Sequence, residues 1–402
     1  MVSGMKNDLI EQLSEQLRGR EKKNLLRRRL ALESPQQTHV FIDGWEYLGF
    51  CSNDYLGLAN HPRLITAACE GAQRYGIGSG ASHLISGHSS AHHLLEEALA
   101  RFVGLPRALL FSTGYMANTG VVTALMGPGD AVFCDKLNHA SLNDGVLLSR
   151  ARFHRYPHLV LAVLERQLAA SRAERKLVLT DAVFSMDGDI APVPGLLELC
   201  EKYNAWLMLD DAHGFGVLGP GGRGTMAHFN IRSPRIIYMA TLGKAAGVYG
   251  AFVAAQPAII ETLVQRARSY IYTTASPPLL AHTLSKSLGL IEREQWRRDK
   301  LVQLVAALRQ ELQSLRWRLL PSTTPIQPLI IGDNDQAVEI SKALRSRGIL
   351  VPAIREPTVP QGSARLRISL CASHTMEDVA RLGTALRELD QRASRKLCSK
   401  IC

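Results

Sequence analysis

The chain has 402 residues, 46% hydrophobic and 21% charged, the balance of a globular protein of two or three domains, and no apolar run is long enough to cross a membrane. Lys and Arg outnumber Asp and Glu by 47 to 36, a net charge of +11 that suits anionic partners. The basic residues are dispersed, though, and no nucleic-acid motif or aromatic-rich basic stripe is present, so a nucleic-acid-binding protein is the weaker reading.

The first 30 residues read as helical, with Leu9, Leu13 and Leu17 spaced by four. They lack the apolar core of a secretory leader, and Asp8, Glu11, Glu15 and Glu21 argue against a mitochondrial one, so the cytoplasm is expected. Gly76-Ile77-Gly78-Ser79-Gly80 looks like a dinucleotide loop, but it follows a helical segment rather than a strand. A helix over 91–103 follows, with Leu95, Leu99 and Phe102 on one face. Short apolar runs then recur at 108–111, 131–134, 177–184, 206–210, 236–242 and 251–255. They are near-continuous rather than alternating, which suits strands buried on both faces of a mostly parallel sheet covered by helices.

The style changes near residue 291. A long helix carries Leu301, Leu304, Val305, Leu308, Leu312 and Leu315 on one side. A strand at 328–331, a helix at 335–347, strands near 349–353 and 364–370, and a last helix follow. Thr375 and Asp378 open that helix at capping-box spacing, and Val379, Leu382, Leu386 and Leu389 mark its buried face. The expected fold is α/β: an N-terminal helical segment (1–52), a large α/β domain (53–290) and a smaller C-terminal α+β domain (291–402), with the boundary inside 285–300. The clusters Arg27-Arg28-Arg29 and Arg297-Arg298 read as solvated helix faces. Cys51, Cys69, Cys134, Cys200, Cys371, Cys398 and Cys402 form no CxxC pair and read as reduced thiols, the last two in a fraying tail; no metal is expected.

Ligands of open α/β sheets bind beyond the carboxyl ends of the strands. Four of the runs lead into polar, glycine-containing turns: Ser112-Thr113-Gly114-Tyr115, Ser185-Met186-Asp187-Gly188-Asp189, Asp211-Ala212-His213-Gly214 and Gly243-Lys244-Ala245-Ala246-Gly247. Asp210 ends an apolar strand, and a buried carboxylate is costly unless paired. A protonated pyridine nitrogen would suit it, at about 4 kcal/mol for charges about 4 Å apart near a dielectric of 20. The other reading is an Asp that caps the next turn beside a structural His213. Lys244, among small residues, is placed for close access to an aldehyde carbon, and Thr241 to meet a phosphate; alone, a lysine in a glycine-rich turn is usually a surface residue. Gly114-Tyr115 opens a helix whose N–H groups suit phosphate. His139 follows another strand and can stack on a ring or be an ordinary loop residue. In Arg365-Leu366-Arg367-Ile368-Ser369-Leu370, alternation turns both arginines away from the apolar layer. Arg367 is then free to grip a carboxylate, while Arg365 is expected to face solvent.

GYMAN, FSMDGD, DDAHGFG, TLGKAAG and SNDYLGL, in that family's order over about residues 25–390, resemble the α-oxoamine synthases. These are fold-type I enzymes of pyridoxal 5'-phosphate (PLP) that join an amino acid to an acyl thioester with loss of carbon dioxide. IREPTVPQGSARLRISL, IQPLIIGDN and LLRRRL resemble the branch that condenses L-alanine with a pimeloyl thioester, on coenzyme A or an acyl carrier protein, in biotin synthesis. A glycine-using branch is the alternative. The resemblance implies that Lys244 holds PLP covalently and acts as base, that Asp210 pairs with the ring nitrogen, that Ser185 and His213 contact the ring oxygen, and that His139 stacks on the ring and meets substrate. Gly114, Tyr115 and Thr241 would place the cofactor, Arg367 and Asn53 would hold the amino-acid carboxylate, and Arg27 and Thr358 would touch substrate. It further implies a homodimer with shared sites, in which Thr273 or Thr274 reaches the partner's phosphate. Ala246 and His83 stand where relatives commonly carry a larger apolar residue and Arg or Gly.

Overall fold

The computed structural model describes residues 8–401, with side chains through residue 392, so the expectations for Cys398 and Cys402 lie outside it. A seven-stranded sheet runs in the spatial order Arg107–Phe111, Ala251–Ala255, Ile236–Thr241, Trp206–Asp210, Lys176–Asp181, Ala131–Asp135, Arg152–Tyr156. Every neighbouring pair is parallel except those made by Ala251–Ala255, which runs against both its neighbours. All six apolar runs form strands of this sheet. Side chains alternate between two helix-covered layers: Phe133, Leu207, Leu209 and Phe252 join one apolar cluster, while Val132, Cys134, Met208 and Val253 join the other. Burial on both faces is why the runs have no polar residue at every second position.

Two strand features lack such a run. Arg152–Tyr156, RFHRY, is an edge strand with one buried residue, so its composition is polar. His39–Ile42 and Trp45–Gly49 form an antiparallel hairpin where a helical segment was expected. Its two-residue turn is Asp43-Gly44, both at positive φ (52° and 74°), the backbone that a tight hairpin needs and that Asp-Gly supplies. Ile349–Leu350 adds to this hairpin in parallel, tying residues near the N-terminus to the C-terminal part of the chain.

The N-terminal helix is Leu9–Lys22, capped by Asp8, and none of its residues is buried. The long helix expected after about 291 is Trp296–Glu311, with Leu301, Leu304, Val305 and Leu308 buried; another helix, Pro278–Arg293, precedes it. Arg297 and Arg298 at that junction are buried, not solvated. Arg297 binds Glu294 (2.7 Å) and the Leu56 carbonyl (2.8 Å), and Arg298 binds the Ile291 carbonyl (2.7 Å) and Gln295. The C-terminal part is a four-stranded antiparallel sheet of Arg318–Leu319, Ile326–Gly332, Ala364–Ser369 and Ala353–Ile354. The region near 349–353 is thus two short strands in different sheets. Thr375 and Asp378 exchange backbone hydrogen bonds (2.8 and 3.1 Å), the capping box read from the sequence. No helix among the described residues is long and apolar enough to cross a membrane.

Candidate active site

The strand ends converge. Lys244 follows Ile236–Thr241, His213 follows Trp206–Asp210, and the two strands are neighbours in register. Lys244 Nζ lies 2.9 Å from His213 Nε2, and His213 Nδ1 lies 2.6 Å from Tyr55 Oη. Tyr55 also donates to Asn53 Oδ1 (3.2 Å), which accepts from Arg367 as well (3.1 Å). Arg367 is further fixed by Ser185 O (2.5 Å) and Ser369 Oγ (2.8 Å). Five side chains from four segments therefore form one continuous polar network between the lysine and the arginine.

Asp210 is buried, accepts from Ala212 N–H (3.0 Å) and from Asn118 Nδ2 (2.7 Å), and its charge reaches Lys244 and His139. Asn118 also binds Ser141 (2.9 Å), while its own oxygen is buried without a partner among the described residues. Asp181 is the register partner of Asp210 on the adjacent strand and accepts from His139 N–H (2.7 Å). Burial, and after it the Asp210 charge, push the Asp181 carboxyl well above its ordinary range. Burial draws the Lys244 amine down to about 8, against the pull of Asp210 and Asp181. The His213 imidazole is held well below its ordinary value by burial, then by Lys244, Arg367 and His139, and is neutral at pH 7.

Gly114 and Tyr115 begin the helix Gly114–Leu125, which Thr113 caps by accepting from Met116 N–H (3.1 Å). That cap leaves the first N–H groups of the helix free for an anion. A Cβ added at Gly114 would meet only Met239 Cε at 3.8 Å, and one at Gly243 would come no nearer than 3.8 Å to Thr241 Oγ1, so the space before both glycines is open. Thr241 donates to Gly250 O (3.0 Å) at the same strand end. His139 caps the next helix and binds Ser141 (2.7 Å) with its outer side exposed. A buried carboxylate, a half-buried lysine amine of lowered pKa and an open helix N-terminus suit a group that carries a basic ring nitrogen, an aldehyde and a phosphate. Lys244, Asp210, His213, His139, Ser185, Thr241, Gly114 and Tyr115 are the residues able to hold it.

Three expectations fall elsewhere. Arg365 is buried rather than solvent-facing: it pairs with Asp187 and the Met186 carbonyl, because the Ser185–Asp189 turn folds over that side of its strand. Arg27 and Thr358 meet each other (3.3 Å) on the wall of a separate cavity of about 300 Å³, with Arg20 and Arg355. Thr273 and Thr274 follow the helix Arg268–Ile271 and make no hydrogen bond to the Lys244 network. Tyr55, Asn118 and Asp181 were not singled out from the sequence. Tyr55 lies within the SNDYLGL motif and Asp181 interrupts the apolar run LVLTDAVF; an acid inside such a run was the available signal.

A model of the family described as Aminotransferase class I and II matches residues 46–386. The 8-amino-7-oxononanoate synthase of Nitrosospira multiformis is 71% identical over 381 residues, 95% of this chain and 96% of that protein. Among solved structures, a serine palmitoyltransferase with PLP superposes with a TM-score of 0.91 at 29% identity, covering 96% of this chain and 99% of that one. The 8-amino-7-oxononanoate synthase of Francisella tularensis gives a TM-score of 0.76 at 31% identity, covering 87% and 99%. The chain belongs to the aminotransferase class I and II family and, within it, to the 8-amino-7-oxononanoate synthases.

Proposed function

We infer that the protein is a PLP-dependent acyltransferase that condenses L-alanine with a pimeloyl thioester, giving 8-amino-7-oxononanoate, carbon dioxide and free thiol. The observation that carries this reading is the half-buried Lys244 amine, within reach of the Asp210 charge and joined through His213, Tyr55 and Asn53 to a fixed arginine. PLP, when bound, supplies the electron sink that lets a bond at the amino-acid Cα break. Asp210 would hold a proton on the ring nitrogen by charge, with Asn118 fixing the carboxylate. Ser185 and His213 would address the ring oxygen, and His139 would pack against the ring. The first N–H groups of Gly114 and Tyr115, with Thr241, would bind the phosphate.

Arg367 and Asn53 grip the alanine carboxylate, which orients the Cα–H bond. The Lys244 amine, with its pKa drawn down to about 8, takes that proton. The substrate carbon so deprotonated would attack the thioester carbonyl, and His139 would offer an N–H to the oxygen as it gains charge. The thiol leaves, the carboxylate departs as carbon dioxide, and Lys244 returns a proton to the same carbon. Arg27 and Thr358 meet the acyl donor, whose anionic end suits the cavity shared with Arg20 and Arg355. If that donor rides on an acidic carrier protein, turnover will weaken steeply with salt.

We further place the working site in a homodimer. Ile85 and Tyr272 are 80% and 71% exposed, an apolar surface that a second copy would cover, and Thr273 and Thr274 directly follow Tyr272. The discriminating experiment measures thiol release with alanine or glycine, each with pimeloyl or acetyl thioester. Turnover is expected with alanine and the pimeloyl thioester; a preference for glycine would move the protein to another branch.

A further inference from the structure

Tyr55 is 1% exposed, its ring set in the main apolar core, and its hydroxyl is the sole polar part of it that reaches the site. That hydroxyl is 2.6 Å from His213 Nδ1, for which no other hydrogen-bond partner exists among the described residues. The opposite ring nitrogen, Nε2, faces Lys244 at 2.9 Å. In an imidazole, the partner of one nitrogen decides whether the other donates or accepts. One arrangement satisfies all of these contacts: Lys244 N–H to His213 Nε2, His213 Nδ1–H to Tyr55 Oη, and Tyr55 O–H to Asn53 Oδ1 beside Arg367.

We propose that Tyr55 is a positioning residue that fixes the ring orientation and the protonated nitrogen of His213, and through Asn53 couples the Lys244 end of the site to the Arg367 end. This rests on the PLP reading above. Burial raises the Tyr55 pKa, so the hydroxyl keeps its proton and stays both donor and acceptor across the working range. Phenylalanine would fill the same slot and leave His213 Nδ1 buried without a partner. The remaining charged and titratable groups around the pair are untouched by that change: His139 and Arg367 beside His213, and Asp210, Asp181 and Arg367 beside Lys244.

The test uses the PLP-loaded protein and the variants Tyr55→Phe, His213→Asn and the double variant. Tyr55→Phe is expected to move the pH at which the visible absorbance of the bound cofactor changes by about half a unit or more. It is also expected to lower kcat by about ten- to a hundredfold, the order seen when the outer partner of a metal-binding imidazole is removed. In the His213→Asn background the same change should have almost no effect, whereas a packing role would cost the same in both backgrounds. Equal losses in both backgrounds, or an unmoved absorbance titration with unchanged kcat, overturn the proposal. Should Tyr55→Phe not fold, 3,5-difluorotyrosine at position 55 keeps the shape and acidifies the hydroxyl; a shifted titration supports the proposal and an unshifted one overturns it. Wild-type protein that takes up no PLP would instead remove the cofactor reading itself, and with it this proposal.

Discussion

Lys244 Nζ lies 2.9 Å from His213 Nε2, an amine of lowered pKa against an imidazole that is neutral at pH 7. The amine is drawn down to about 8 by burial, so near neutrality a sizeable minority of molecules carry it unprotonated. Only the unprotonated amine adds to an aldehyde. The rate at which cofactor-free protein takes up PLP should therefore climb by roughly tenfold per pH unit below pH 8 and level off above it. Stopped-flow absorbance from pH 6 to 9.5 measures this; a rate still climbing at the top of that range would mean that the lysine is not depressed.

Replacing Lys244 by Ala should abolish the visible band of the loaded protein and lower thiol release by about a thousandfold or more, because anchor and base are lost together. A spectrum and a thiol-release assay on the same preparation suffice. Retention of the wild-type band in Lys244→Ala would end the scheme.

Asp210→Asn tests the second charge. The carboxylate has two fixed donors, Ala212 N–H and Asn118, and its removal from a cationic ring costs about 4 kcal/mol at a dielectric near 20. That corresponds to about a thousandfold in rate. The loss should fall on kcat more than on the folding midpoint, since the asparagine keeps an acceptor for Ala212. A kcat within about threefold of wild type would assign Asp210 to the turn alone.

Much of this was legible because chemistry and burial leave different marks. The six apolar runs lie on both-face-buried strands, so they stood out, and the polar turns after them held Lys244, His213 and Ser185. The edge strand Arg152–Tyr156 was not legible, since an edge needs little apolar sequence. Nor was the hairpin at 39–49, although Asp43-Gly44 was its signal. Tyr55 was lost for a different reason: a buried tyrosine followed by Leu56 and Leu58 looks like core until the partner of its hydroxyl, 158 residues away in the chain, is known. Arg365 shows the same limit in reverse. Alternation gave its face correctly, but only the fold reveals that the Asp187 turn covers that face.

Arg365 and Arg367 are both buried on one strand face and should separate cleanly. Arg367→Ala removes charge-assisted bonds each worth about 1.5–3 kcal/mol, so the KM for alanine should rise by about ten- to a hundredfold. Arg365→Ala breaks the pair with Asp187 and should lower the unfolding midpoint while leaving the KM for alanine within about threefold. Steady-state kinetics and thermal melts of both variants decide it; a KM effect confined to Arg365→Ala would reverse the assignment of Arg367.

His158 bridges two carboxylates, Asp135 at 2.9 Å and Asp189 at 2.7 Å, and so ties the strand Ala131–Asp135 to the turn that carries Ser185. Burial alone would depress the imidazole, but the hydrogen bonds and charges of Asp135 and Asp189 outweigh it and raise its pKa to about 10. The folded state therefore binds a proton that the unfolded chain, with a histidine near 6.5, releases sooner. The stabilisation is fully present below pH 6.5 and is lost as pH climbs from there through about 10. Breaking a fully buried pair costs about 3–5 kcal/mol, and with a quarter of the His158 side chain exposed the cost should sit at or below the lower end. His158→Gln should thus lower the denaturant midpoint clearly at pH 6.5, and the gap to wild type should narrow steadily by pH 10. Equal gaps at both ends of that range would show that the bridge is not protonated in the folded protein.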